Sequence, residues 1–151
     1  MVFEQRCVFD ASCDALWDLI VKVPEVALCI PGVSNVAPVE GNSFRGRMNL
    51  SIGPIRLGLE GTVTIQTQDR ATWRSVMRAE AADRRVGGGM KADMSMELRE
   101  VGNQQSELLI STNLTLLGKL GEFGQPVIRR KADSILQEFA RNLQSRVSAG
   151  A

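Results

Sequence analysis

The feature that most constrains this chain is a change of hydrophobic period near residue 126. Before it, apolar residues recur at every second position; after it, they recur every third or fourth. Residues 43–52 place Phe44, Met48, Leu50 and Ile52 on one face and Ser43, Arg45, Arg47, Asn49 and Ser51 on the other. Gly53-Pro54 makes a turn, after which Ile55, Leu57, Leu59, Val63 and Ile65 alternate with Arg56, Glu60, Thr62, Thr64 and Gln66. Gln68 to Ala71 reads as the next turn, and Trp73, Met77, Ala79 and Ala81 continue the apolar face. Asp83 to Gly89 reads as a loop ending in three glycines. Beyond it Met90, Ala92, Met94, Met96 and Leu98 alternate with Lys91, Asp93, Ser95, Glu97 and Arg99. Gly102-Asn103 is a hairpin signal, and the last strand points Leu108, Ile110 and Leu114 inward. Strands joined by such short turns pair as an antiparallel meander with one buried face.

Residues 2–9 read as an earlier strand with Phe3, Cys7 and Phe9 on one side, and residues 33–40 as a weaker one that Pro38 assigns to an edge. Between them Ser12 caps a helix running to about residue 22, with Asp14 favourable in its first turn. A second short helical piece starts at Pro24 and ends before Pro31-Gly32. After Leu116 to Gln125, a glycine-rich piece read as loosely helical, Pro126 opens the long helix. There Val127, Ile128, Ile135, Phe139, Leu143 and Val147 form a stripe that Ala132 and Leu136 widen. A single-layer sheet must cover its apolar face, and this helix is the only element large enough to do so. The reading is therefore one α+β domain over residues 1–151: a seven-stranded curved antiparallel sheet around a long C-terminal helix.

Composition narrows the chemistry. The chain has no His and no Tyr, so it lacks the usual base near neutral pH and the commonest metal ligand. Three cysteines, Cys7, Cys13 and Cys29, form no C-x-x-C and suit free thiols in a reducing cytoplasm. No metal site and no catalytic residue is expected; Cys7, the one inward nucleophile, lacks a His partner and reads as structural. A net charge of +1 argues against nucleic acid as a partner. Met1 to Ser12 has no apolar run of the signal-peptide kind, and no segment is apolar for long enough to span a bilayer. Any membrane contact is expected to be peripheral, at the inner face, or through a partner.

Five of the six methionines, Met48, Met77, Met90, Met94 and Met96, fall on the inward face. They read either as gap-filling core or as an adaptable lining for a flat apolar ligand; their density favours the lining. The expected ligand site comprises Met48, Leu57, Leu59, Trp73, Met77, Met90, Met94, Ile110, Ile128 and Ile135. The two helix residues are included because seven positions make about two turns and so share a side. Its occupant would be an apolar small molecule, a quinone or lipid, with no other cofactor. Gly87, Gly88 and Gly89 lack the strand–loop–helix setting of a phosphate loop and read as a gate. Leu116, Leu117, Lys119, Leu120 and Phe123 form either a mobile docking lip or a cap on the end of the sheet. Arg129, Arg130 and Lys131 read as a solvated face, with Arg129 placed to pair with Asp133. Asp83, Arg84 and Arg85 read as a solvated loop.

Several stretches resemble the carbon monoxide dehydrogenase G-subunit family of the START-like, or helix-grip, superfamily. They are Ala15-Leu16-Trp17, Cys29-Ile30-Pro31-Gly32-Val33, Ile52-Gly53-Pro54-Ile55, Gly61, Gly118-Lys119-Leu120-Gly121, and Phe139 with Leu143. The resemblance spans nearly the whole chain. It implies a non-catalytic accessory of molybdenum-containing hydroxylases, linked to membrane recruitment of the enzyme and to quinone handling. Many members carry a C-terminal extension that helps membrane attachment. This sequence closes at Ser148-Ala149-Gly150-Ala151, soon after the helix, so such an anchor is not expected. Two other classes stay open: an enzyme of the polyketide-cyclase kind, which shares the fold, and an assembly factor acting through its surface.

Overall fold

The computed structural model describes residues 1–149. In chain order the elements are β1 (Val2–Phe9), α1 (Cys13–Ile20), α2 (Val23–Ala27), β2 (Val33–Pro38), β3 (Ser43–Ile52), β4 (Ile55–Asp69), β5 (Arg74–Asp83), β6 (Gly88–Gly102) and β7 (Gln105–Gly118). One turn of 3-10 helix at Lys119–Glu122 then leads into α3 (Gln125–Ala149). Gly150 and Ala151, the end of the terminal segment noted above, lie outside the described residues.

All seven strands form one sheet in the order β1-β7-β6-β5-β4-β3-β2, and every neighbouring pair is antiparallel. Strands β2 to β7 are the expected meander, and β1 joins it against β7. Pro38 ends the edge strand β2, where its missing N–H costs the ladder least. Ser12 caps α1 by accepting a bond from the Ala15 N–H at 3.2 Å. The strands outrun the alternation that betrays them. Leu116 and Leu117, expected in a loose helical piece, extend β7 opposite Met90 and Gly89. Ladder hydrogen bonds continue past the point where one face stops being buried, so the hydrophobic period marks only part of a long strand.

Helix α3 buries Ile128, Leu143 and Val147, while Ala132, Ile135, Leu136 and Phe139 are half-buried. Val127, expected in the stripe, is 38% exposed. Asp133 accepts a bond from Gln5 Nε2 of β1 at 2.9 Å instead of pairing with Arg129. The helix backbone comes nearest to β1 and α1, not to the central strands.

The interior is divided in two. One cluster is built from Phe9, Cys13, Leu16, Trp17, Leu98, Leu108, Ile110, Leu143 and Val147, where α1 and the end of α3 meet the sheet. The other joins Ile52, Leu57 and Leu59 to Leu120 and Ile128, around the opposite end of α3. Each is sealed by large aliphatic or aromatic side chains, and a fully buried one contributes about 1.5–3 kcal/mol relative to exposure.

Candidate functional site: an apolar strip under the long helix

Strand register arranges the concave face in rows. One row runs Gly46, Gly61, Ala81, Met90, Leu116. The next runs Phe44, Val63, Ala79, Ala92, Leu114, and the next Ile65, Met77, Met94, Thr112, Phe3. Beyond that, Ser75 faces Met96, then Ile110 and Gln5. The central strands thus offer mostly Gly and Ala in the first two rows. Gly61 is required there, because a Cβ would overlap the Glu80 carbonyl oxygen of the adjacent strand. Short side chains therefore line much of the middle of the face.

This middle is the strip between the two clusters. Met48, Val63, Ile65, Met77 and Ala79 on the sheet, with Ile135 on α3, are half-buried and belong to neither cluster. The ten expected ligand residues therefore divide. Met48, Met77 and Ile135 lie in the strip. Trp73, Met94 and Ile110 belong to the α1-end cluster or pack against it. Leu57, Leu59, Met90 and Ile128 do the same in the other cluster. Leu57, Leu59, Ile110 and Ile128 are core residues, at most 7% exposed, and form the ends of the strip, not its lining. All five inward methionines are half-buried, including Met96, which is not among the ten.

The sheet rows of the strip carry no charged side chain, whereas Lys131 of α3, read as solvated, is half-buried one turn from Ile135. The inward polar residues of these rows are Gln5, Ser75 and Thr112. Burial and then the charge of Glu107 push the Cys7 thiol up to about 11, so it is a protonated thiol at neutral pH. Burial likewise raises Cys13 and Cys29. Asp83, expected in a solvated loop, is buried at the end of β5. Its carboxylate accepts from the Gly58 N–H at 2.8 Å and from the Arg85 and Val86 N–H groups at 3.0 and 3.2 Å. The Gly58 bond leads the effects that hold it below the ordinary carboxylate range, and it ties β4 to the β5–β6 turn. Among the described residues no group of His, Cys, Asp or Glu could hold a metal ion.

The glycine-rich end differs from its sequence reading. Only Gly87 lies in the turn; Gly88 and Gly89 open β6, paired with Asp83 and Ala82. Gly118 has φ +60°, and a Cβ there would overlap the Gly87 carbonyl oxygen, so this glycine permits close backbone packing. Leu120 is not part of an exposed lip: it is 3% exposed and lies over Gly88. Leu117 and Lys119 are exposed, whereas Leu116 and Phe123 are half-buried against the second cluster. Gly87, Gly88, Gly89 and Leu117 line an open groove together with Glu60 and Lys91.

Ser75 is missing from the sequence-derived set, although strict alternation back from Met77 lands on it. Trp73, expected in a strand, ends the β4–β5 turn with φ +49°. The Leu98 N–H donates to its carbonyl at 3.0 Å, which sets Trp73 beside Leu98.

None of the curated proteins matches the sequence. Solved structures do match in fold. A conserved protein from Geobacillus kaustophilus superposes with TM-score 0.89 at 11% identity, covering 99% of this chain and 96% of that one. A START superfamily protein from Mycobacterium smegmatis gives TM-score 0.68 at 11% identity, covering 99% of each chain. The Zhui aromatase/cyclase from Streptomyces sp. R1128 gives 0.65 at 11% identity, covering 98% of this chain and 93% of that one. At such identities the likeness establishes the helix-grip fold alone. The sequence profile of the carbon monoxide dehydrogenase G-subunit (CoxG) matches residues 8–148. With nearly the whole sheet and α3 inside that match, the chain belongs to the carbon monoxide dehydrogenase G-subunit (CoxG) family.

Proposed function

We propose that this protein holds an apolar, quinone- or lipid-like molecule under α3 and serves, without catalysis of its own, a molybdenum-containing hydroxylase of the carbon monoxide dehydrogenase type. One observation carries the reading: between two sealed clusters lies a strip of half-buried apolar side chains from the sheet and from α3, with no charged side chain on its sheet rows. Methionine suits such a lining because its unbranched, polarizable side chain adapts to a flat surface. A ligand burying about 300 Å² of apolar area would gain ~7 kcal/mol before ordering costs are subtracted. The redox partner is supported by the family description. Peripheral contact with the inner face of a membrane fits exposed Leu117 and Lys119 at the glycine-rich end. No helix among the described residues is long and apolar enough to cross a membrane.

The cyclase alternative draws on the fold shared with the Streptomyces aromatase/cyclase. Against it stand the neutral rows, a thiol held protonated, and an inward carboxylate committed to three backbone N–H groups. Native mass spectrometry of gently extracted protein is expected to show a retained apolar ligand. Titration with a short-chain quinone, read by tryptophan fluorescence, is expected to saturate. If nothing apolar binds, the reading fails and docking through the surface replaces it.

A further inference from the structure

Two buried side-chain polar atoms have no hydrogen-bond partner among the described residues: Trp73 Nε1 and Ser75 Oγ. Both belong to the concave face. Ser75 is 2% exposed and stands opposite Met96, while Trp73 stands beside Leu98. They are two residues apart where β5 begins, and Met77 of the strip comes next along the same face. The fold can satisfy a buried hydroxyl when that hydroxyl serves structure: Ser106 Oγ donates to the Ala11 carbonyl at 2.8 Å. Ser75, equally buried, is left free.

The segment is also held in place. Arg70 in the preceding turn binds Asp18 at 2.8 Å and Asp14 at 3.1 Å, both on α1. Trp73 keeps a left-handed backbone that a bulky residue seldom adopts. Such backbone costs are commonly retained where a side chain must be presented in one place.

Resting on the ligand reading above, we infer that Trp73 Nε1–H and Ser75 Oγ–H are donors for an acceptor oxygen on the bound molecule. An indole N–H can only donate, and a serine hydroxyl can donate to the same kind of atom. The rows beside them carry no Lys or Arg to match a carboxylate. The site therefore selects a neutral carbonyl-bearing ring over a fatty acid or a plain hydrocarbon. The ring sits at the α1 end of the strip, and its apolar remainder runs toward Met77 and Met48.

The test is calorimetric titration of the whole chain with three probes: a naphthoquinone bearing a short alkyl chain, the matching alkylnaphthalene, and a fatty acid of similar length. The parent is expected to bind the quinone most tightly. Ser75→Ala and Trp73→Phe are each expected to weaken the quinone by about three- to tenfold, the size of one hydrogen bond, and to leave the hydrocarbon unchanged. Ser75→Ala should not lower the Tm of the free protein, because it breaks no bond there. Should Trp73→Phe fail to fold, Ser75→Ala alone decides the matter. Equal losses for quinone and hydrocarbon, no loss for either, or tighter binding of the fatty acid would each overturn the inference while leaving an apolar site standing. A parent that binds none of the three overturns the ligand reading itself.

Discussion

At the α1 end of the concave face Phe9, Leu16, Leu108 and Leu143 are at most 1% exposed, whereas a few residues away Met48, Val63, Ile65 and Met77 are half-buried. Both places lie on the concave face of one sheet, and α3 comes nearest to it at β1. The difference comes from what meets in each. At the α1 end a second helix adds Cys13, Leu16 and Trp17, and the strands supply Leu98, Leu108 and Ile110. In the middle the rows supply Gly46, Gly61, Ala79 and Ala81, and the larger side chains beside them, Met48, Val63, Ile65 and Met77, stay half-buried. The interior of this chain is thus tightly buried at its ends and half-buried in its middle. The division rests on side-chain volume, not on polarity.

The largest expected effect tests that division directly. Leu143→Ala should cost about 3 kcal/mol, within the range for opening a cavity in a tight core, and Met77→Ala about 1 kcal/mol or less. Urea denaturation of both variants measures the contrast. Equal costs would mean that the strip is packed like the ends.

Next in size, Gly61→Val should destabilise by about 2 kcal/mol, since the added carbon would meet the Glu80 carbonyl and the strands must separate. A thermal melt matching the parent would show that this row has slack. A further contrast sets the two faces of β6 against each other. Met94→Glu puts a charge beside the strip and should reduce quinone affinity about tenfold, because an unpaired buried charge is poorly tolerated. Ser95→Glu, on the convex face, should bind like the parent. Comparable affinity in both folded variants would remove Met94 from the site.

The smallest effect is a pH dependence. The Cys7 thiol is raised from 9.0 to about 11 in the folded protein by burial and by Glu107. A raised thiol contributes stability that is fully present below about pH 9 and is lost as pH rises toward 11, because the unfolded chain ionises first. Stability measured from pH 8 to 11 should fall less steeply in Cys7→Ala than in the parent.

Much of this is legible along the chain. Period two gives the face of each strand, and the cross-strand register places all five inward methionines on the face the alternation indicates. The period change near Pro126 locates α3. Local patterning carries such information because it depends on which side of a strand or helix each residue occupies.

Other features depend on distances between elements remote in sequence. Period two gives Leu57, Leu59 and Ile110 the same sheet face as Met48 and Met77, and helical spacing gives Ile128 the side of Ile135; the tertiary structure makes Leu57, Leu59, Ile110 and Ile128 core and leaves Met48, Met77 and Ile135 half-buried. Leu120 reads as part of a lip or cap and is buried over Gly88, and Asp83 reads as solvated and is the tie between Gly58 and the β5–β6 turn. Ser75 is hidden for the same reason. Alternation can point a hydroxyl inward, but only the assembled volumes around it decide whether a partner is within reach.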